Sequence, residues 1–242
     1  MNKKLIKEYK IPASFTDNRL LLSYPAVFSV FMDLASEHAD ILNIGADRLI
    51  KDNLIWIASK TKVIIHKRPE MLRDVTISTW PEKPGNIRMN RYYTISQGDE
   101  ILIEGKNEWT IFDLNTNRPR KTAEVYPADI EHLPDIVCSE PFDRIPTSFD
   151  AFEDYASYTV RSGDIDSSQH MNNVAYIRAV MGSFSCKEIE EMDISQMEIA
   201  YRAQCFEGET LSFRRREEGK LIDIGIIKSD GTTAAVLRIK RK

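Results

Sequence analysis

The residues best suited to catalysis lie in one polar segment, residues 164–176, which reads DIDSSQHMNNVAY. Polar side chains just ahead of a helix are often caps, and that interpretation explains Asn172 or Asn173. It does not explain His170, which is a poor cap. A histidine beside a helix N-terminus can transfer protons near neutral pH, and the free N–H groups there can stabilise a developing oxyanion.

Two helices are predicted, and the second follows this polar segment. In residues 24–42 the apolar side chains recur at helical spacing, and Pro25 suits a first turn. In residues 173–189 they recur similarly at Val174, Ile177, Met181 and Phe184. The second helix would therefore hold the polar segment at its N-terminal end.

Each predicted helix is followed by runs of strand character, several with the period-two alternation of a half-buried sheet. The strands are predicted at residues 61–67, 75–80, 88–95, 100–104 and 108–112, and at 197–203, 210–216, 221–228 and 232–240. One long helix with an antiparallel sheet, present twice, predicts the α+β class.

The two halves of the chain resemble each other. An offset of 149 residues places Tyr9 on Tyr158 and aligns the starts of both helices. Further on, an offset of 135 places Asp74 on Glu209, which leaves extra residues in the first half around 43–56. We therefore predict an N-terminal domain at residues 1–112 and a C-terminal domain at residues 155–242.

Residues 113–154 are predicted to connect the two domains as a stiff strap. They hold five of the ten prolines and no glycine. Such a composition favours extended, semi-rigid chain.

Composition excludes several classes of protein. A net charge of −4 over 242 residues argues against general nucleic-acid binding, and no apolar run approaches the ~20 residues of a membrane span. The N-terminus lacks the features of a secretory signal. Three cysteines without a CxxC motif indicate a reducing cytoplasm, and no histidine has a metal-site spacing with a cysteine. We therefore expect a cytoplasmic protein without a metal.

The polar segment, extended to DIDSSQHMNNVAYI, resembles the signature of the acyl-ACP thioesterases, in which Asp-x-Asn-x-His-x-Asn-Asn opens the helix of the second hotdog domain. The segment IAYRAQCFEGE, residues 199–209, resembles that family's second site segment. The resemblance covers nearly the whole chain. It implies two tandem hotdog domains that hydrolyse the thioester of fatty acyl-acyl carrier protein with water and without a cofactor. It also implies that the second half holds the site and the first half shapes the acyl-chain tunnel.

The resemblance can be compared with the family's site residues position by position. Asp166 and His170 match the family's aspartate and histidine, whereas Ser168 stands in place of an asparagine. Gln204 replaces a catalytic glutamate, and Cys205 matches a cysteine of many plant-type members. An amide cannot take a proton from water, so the general base of this chain must be a different group.

Three mechanisms follow. In the favoured one, His170 is the base, Asp166 or Ser168 orients it, and Gln204 only positions water or the carbonyl. In the second, His170 activates Cys205 as a nucleophile. In the third, the site is crippled and the protein binds acyl carrier protein without turnover. Leu21 occupies the position of His170 in the first half at the offset of 149, so one site is expected.

Candidate contact residues come from apolar and basic clusters. An acyl-chain pocket is predicted from Phe28, Phe31, Met32, Trp56 and Trp80. Docking of the acidic carrier protein is predicted at the consecutive Arg214, Arg215 and Arg216, with Arg88 and Arg91 as weaker candidates. Arg215 should face opposite to its two neighbours.

Rival functions remain open at this point. An acyl-CoA thioesterase would need no carrier contacts, and a dehydratase could use the pair Asp164 and Asp166. A non-catalytic carrier-binding protein is favoured by Gln204 and Ser168. An exposed sheet edge in each half would permit a homodimer.

Overall fold

The computed structural model describes residues 3–128 and 130–242. The chain forms two compact units, Met1–Glu140 and Pro141–Lys242. Their boundary lies inside the predicted strap. Each unit combines helices with an antiparallel sheet, which confirms the predicted α+β class.

The first unit has a sheet with strand order β1-β3-β4-β5-β2, and all these neighbours are antiparallel. A short strand, β6, pairs with β5 off this path. The elements are β1 Leu5–Lys10, α1 Tyr24–Ile41, α2 Ala46–Leu49, β2 Leu54–Ile65, β3 Asp74–Pro81, β4 Arg88–Gln97, β5 Glu100–Asp113 and β6 Arg118–Arg120.

The second unit repeats this arrangement with strand order β7-β9-β10-β11-β8. Its elements are β7 Asp154–Thr159, α3 Asn173–Met181, α4 Cys186–Met192, β8 Ile194–Tyr201, β9 Thr210–Glu218, β10 Leu221–Lys228 and β11 Thr233–Arg241. No helix of the described ranges is both long and apolar enough to cross a membrane.

The duplication is confirmed by backbone bonds that recur at the predicted offset. Asp17 N donates to Leu21 O at 2.9 Å, and Asp166 N donates to His170 O at 3.1 Å. Both turns contain a residue of positive φ, Leu20 and Gln169. The first unit therefore contains the same turn that carries His170 in the second.

The predicted offset of 135 for the later part of the repeat is wrong by one residue. Ile11 N donates to Arg73 O, and its counterpart Val160 N donates to Glu209 O. Glu209 therefore matches Arg73 rather than Asp74, an offset of 136. The hydrogen bonds set this register, which similarity of residue type alone placed incorrectly.

The predicted helix at residues 173–189 is wrong in its extent, because α3 ends at Met181 and α4 begins at Cys186. Gly182 follows α3, and glycine is a weak helix former. The Ser185 side chain accepts from Glu188 N while the Glu188 carboxylate accepts from Ser185 N. This capping box starts a new helix, so the single helix that the apolar spacing predicted is broken between Met181 and Cys186.

The predicted strands at residues 100–104 and 108–112 are one continuous strand, β5. The prediction left residues 105–107 outside the strands, yet the polar side chains of Lys106 and Asn107 are buried there. Lys106 Nζ donates to Glu140 O, and Asn107 Nδ2 donates to Met32 Sδ at 3.4 Å. These bonds allow polar side chains inside the strand. Strand β2 likewise begins at Leu54, earlier than predicted.

The connecting segment is held against each sheet by hydrogen bonds within each unit, of which two involve buried or half-buried carboxylates. In the first unit Cys138 N donates to Glu104 Oε2 at 2.6 Å. In the second, Asp143 N donates to Glu198 Oε1 at 2.7 Å. Strand β6 and a short 3-10 turn at Thr122–Glu124 also interrupt the predicted extended strap.

Candidate active site

The turn at residues 166–170 brings three of the predicted site residues together. Its backbone is closed by the bond from Asp166 N to His170 O, and Asp166 O accepts from Gln169 N at 3.0 Å. Ser168 N donates to Asp166 Oδ1 at 2.8 Å. The Asp166 carboxylate is therefore fixed across the turn from His170, while the Ser168 side chain is exposed.

The His170 ring is half-buried. Across residues 3–128 and 130–242, its nitrogens make no hydrogen bond or ion pair with the protein. One ring nitrogen is thus open to accept a proton from a water molecule.

Asn172 is the N-cap of α3. Its side-chain oxygen accepts from Val174 N at 2.8 Å, and its own N–H donates to Asp164 O at 2.8 Å. Asn173 is the first helical residue, and its carbonyl accepts from the Tyr201 hydroxyl at 3.1 Å. The structure therefore places Asn172 in a capping role, two residues after His170.

The segment after β8 lies alongside this turn. Met171 N donates to Cys205 O at 2.8 Å, and this bond sets His170 and Gln204 on neighbouring segments. The Gln204 side chain is exposed. Its carbonyl accepts from Lys228 Nζ at 3.1 Å, so the backbone of this segment is anchored to β10.

Cys205 is fully buried. Burial raises the pKa of the Cys205 thiol, and a hydrogen bond with the Tyr176 side chain opposes that rise only in part. Burial likewise raises the pKa of the Tyr176 phenol. The site therefore keeps Cys205 as a protonated thiol near neutral pH, which is a poor nucleophile.

The Asp164 carboxylate makes its hydrogen bonds outside the turn at residues 166–170. Its carboxylate accepts from the Tyr158 hydroxyl at 2.7 Å and from Arg161 N at 2.9 Å. Arg178 lies 4.0 Å away. These bonds commit Asp164 to closing the 3-10 turn at Ser162–Asp164 rather than to sharing a proton with Asp166.

In the described part of the chain, no group of three or more His, Cys, Asp or Glu residues could hold a metal ion.

The equivalent turn in the first unit is filled by an ion pair. Arg68 Nη1 contacts Asp17 Oδ2 and donates to Leu22 O at 3.2 Å, and its guanidinium lies 4.5 Å from the Tyr24 ring centroid. Arg68 stands at the position of Gln204 in the repeat, as Leu21 stands at that of His170. The first unit therefore has an ion pair at the place where the second unit has the candidate site residues His170 and Gln204.

A cavity of about 130 Å³ lies in the first unit between α1, α2 and the strands β2, β4 and β5. Of the predicted pocket residues, Trp56 lines it. Phe28, Phe31 and Trp80 are buried in the core instead. Phe31 stacks on Tyr93 with ring centroids 4.6 Å apart.

The cavity has polar lining that the sequence analysis missed, namely Ser36, Arg91, Trp109 and Tyr126. Alternation could have revealed Arg91, because it shares one face of β4 with the buried residues Met89 and Tyr93. The suggestion that Arg91 docks a carrier protein is wrong, since its side chain is buried.

The three consecutive arginines of β9 are each engaged with acidic side chains. Arg214 Nε contacts Asp154 Oδ1 at 2.7 Å, Arg215 Nε contacts Glu217 Oε1 at 3.2 Å, and Arg216 Nη2 contacts Glu218 Oε2 at 2.7 Å. Arg215 also lies over the Tyr155 ring, 5.1 Å from its centroid. Their positive charge is thus partly neutralised.

Comparison with protein families gives two matches. The acyl-ACP thioesterase N-terminal domain matches residues 2–130, and the acyl-ACP thioesterase C-terminal domain matches residues 150–240.

Among curated proteins, the chain is 26% identical over 215 residues to a chloroplastic palmitoyl-acyl carrier protein thioesterase of Cuphea hookeriana, covering 83% of this chain and 50% of that protein. It is 22% identical over 220 residues to the chloroplastic oleoyl-acyl carrier protein thioesterase 1 of Arabidopsis thaliana, covering 84% and 59%. The chain spans about half the length of the first of these relatives.

Among solved structures, an acyl-ACP thioesterase from Bacteroides thetaiotaomicron superposes with a TM-score of 0.86 at 20% identity, covering 99% of this chain and 98% of that one. The 12:0-ACP thioesterase from Umbellularia californica superposes with a TM-score of 0.78 at 18% identity, covering 100% and 98%. These likenesses confirm the predicted fold of two tandem hotdog domains.

Proposed function

Because the chain belongs to the acyl-ACP thioesterase family, we propose that it hydrolyses the thioester of fatty acyl-acyl carrier protein and releases the free fatty acid. The family matches to both units support the reaction class. The observation that carries the assignment of a base is the open ring of His170, held in a closed turn beside the Gln204 segment.

In the proposed mechanism His170 removes a proton from water as the water oxygen attacks the thioester carbonyl. The tetrahedral intermediate then collapses with cleavage of the C–S bond, and the proton held by His170 passes to the departing thiolate. Asp166 is proposed to position the turn, because its carboxylate accepts from Ser168 N across it.

Gln204 is proposed to hold water or the carbonyl by hydrogen bonds, since its amide cannot act as a base. A route through Cys205 is disfavoured on two grounds. Its thiol is fully buried, and burial raises its pKa.

The proposed partner follows from the family in the same way. Acyl carrier protein is the proposed partner, and Arg214, Arg215 and Arg216 are its proposed contacts, where docking would have to compete with the ion pairs of β9. The first unit's cavity is the candidate for the acyl-chain pocket. A cytoplasmic location and a homodimer stay predictions, and the plant relatives are described as chloroplastic.

The test is release of free fatty acid from acyl-ACP and acyl-CoA of several chain lengths. We expect wild type to hydrolyse acyl-ACP in preference to acyl-CoA. His170→Ala should lose about 100-fold or more of kcat, which is the usual contribution of a general base. Cys205→Ala should keep most of the activity.

Gln204→Glu distinguishes a site in which His170 is the base from a site that is impaired by loss of the family's glutamate. Little gain in kcat supports His170 as the base, whereas a large gain indicates a crippled site. If wild type releases no more fatty acid than His170→Ala, the hydrolase is excluded and a carrier-binding role takes its place. If Cys205→Ala is as inactive as His170→Ala, the thiol route replaces the water attack.

A further inference from the structure

The cavity of the first unit contains a charged group among mostly apolar lining residues. Its lining includes Ala35, Ala39, Trp56 and Met89, and also Arg91, whose residue surface is only 5% exposed. A guanidinium stays ionised at any physiological pH. Burying such a charge without a counter-ion costs several kcal/mol, so the surroundings of Arg91 require an explanation.

The hydrogen-bond partners of Arg91 are uncharged. Its Nη1 lies 2.9 Å from His38 Nδ1 and 3.4 Å from Thr79 Oγ1. Because a guanidinium only donates hydrogen bonds, His38 Nδ1 must accept and its ring must carry the proton on Nε2. The Tyr126 phenol is a further neighbour, and burial raises its pKa, which keeps it uncharged. Within residues 3–128 and 130–242, no carboxylate forms an ion pair with Arg91.

A second donor lines the same cavity. Trp109 Nε1 is buried and makes no hydrogen bond of normal geometry in the described ranges, although the Tyr93 hydroxyl lies beside it. Trp109 packs edge-to-face on Trp56 with ring centroids 6.1 Å apart. A buried N–H without a well-placed acceptor is rare and costly. Two donors, one of them charged, therefore lie in the wall without a matching anion.

The remaining surface of the cavity fits hydrocarbon. An engineered apolar cavity of roughly 150 Å³ binds a benzene molecule, so about 130 Å³ accepts the last few carbons of a chain. We propose that this cavity binds the end of an aliphatic chain that carries a carboxylate. The carboxylate accepts from the Arg91 guanidinium and the Trp109 indole, and the chain packs on Trp56 and Met89.

Such a ligand has two sources. One is a free fatty acid, the product of the proposed reaction, and the other is an acyl thioester with a second carboxylate at its far end. Only this choice of source rests on the proposed function. Binding of an aliphatic carboxylate can be measured without turnover, so failure of the hydrolase and failure of this site are distinguishable.

The experiment titrates octanoate and 1-octanol into the full chain at pH 8, followed by calorimetry and by tryptophan fluorescence. Two of the three tryptophans line the cavity, so occupancy should change the emission. Octanoate should bind at least tenfold more tightly than 1-octanol, because only the carboxylate can pair with Arg91. Equal affinities, or no saturable binding of octanoate, would overturn the proposal.

Two variants locate the effect. Arg91→Gln should remove the preference for octanoate. Arg88→Gln should keep it, because Arg88, on the same strand as Arg91, is exposed and pairs with Glu108 of β5 at 3.4 Å. If Arg91→Gln keeps the preference, the assignment to Arg91 is wrong. If that variant does not fold, the comparison of the two ligands in wild type decides alone.

A last comparison identifies the source of the carboxylate. If octanedioyl-ACP, with its free distal carboxylate, has a KM at least tenfold below that of octanoyl-ACP and loses this advantage in Arg91→Gln, the ligand is a substrate chain. If octanoate instead inhibits hydrolysis of octanoyl-ACP and the diacid is not preferred, the ligand is the product. Either result supports the site.

Discussion

At the scale of single residues, the three cysteines differ in burial and therefore in reactivity. Cys186 is exposed, whereas Cys138 and Cys205 are buried. Burial also raises the pKa of the Cys205 thiol and so lowers its thiolate fraction. In native protein, a thiol reagent such as DTNB should modify one cysteine rapidly and the other two on the order of 100-fold more slowly.

Cys186→Ser is the control for that experiment and should remove the rapid phase without changing turnover. Two rapid thiols in wild type, with loss of activity in step with the second, would show that Cys205 is accessible and ionised. That outcome would restore the nucleophilic route through Cys205.

At the scale of elements, the close approach of chain segments depends on glycine. In β10 a Cβ on Gly225 would lie 2.5 Å from Phe149 Cδ2 and 2.6 Å from its Cγ. Phe149 is buried and packs near Phe152, with ring centroids 6.2 Å apart. Gly225→Ala should therefore destabilise the protein by about 1–3 kcal/mol through overpacking, measured by denaturant unfolding.

Gly85→Ala is the matched control, because a Cβ there would meet no atom within 4 Å. A second change tests the cause: Phe149→Leu in the Gly225→Ala background should recover part of the loss by vacating the ring's space. Equal stability of Gly225→Ala and wild type would contradict the contact.

The secondary-structure elements differ in how well the sequence predicts them. The alternation of Ile222, Ile224 and Ile226 placed β10 correctly, because a period of two depends only on local chain geometry. The break between α3 and α4 was missed, because a capping box at Ser185 competes with an apolar pattern that continues through it.

The candidate site could be predicted only in part, because some of its contacts are local in sequence and others are long-range. The turn that holds Asp166 and His170 is formed by residues close together in sequence, so a sequence motif is enough to predict it. The bond from Met171 N to Cys205 O is long-range, and nothing in the spacing of residues encodes it. Arg68 was overlooked because its partner Asp17 lies far away along the chain.

At the scale of the whole molecule, stability should fall at acid pH, and Asp17 is one cause. Burial alone would raise the pKa of the Asp17 carboxyl, but the Arg68 guanidinium and the amides of Arg19 and Leu21 outweigh burial and lower it. A carboxyl with a lowered pKa stabilises the folded state above its unfolded pKa of about 3.8. That contribution is lost as pH falls through the lower, folded value.

The corresponding variant is Asp17→Asn. It leaves the nearly buried Arg68 without its counter-ion and should cost about 1–3 kcal/mol of unfolding free energy near pH 7. Because the wild-type carboxyl becomes protonated in strong acid, the difference should shrink progressively as the pH falls below about 4. Asp74→Asn, which breaks the exposed Lys10 pair, should change stability by less than about 0.5 kcal/mol. A loss in Asp17→Asn that does not vary between pH 7 and pH 2 would mean that the residue acts through packing rather than charge.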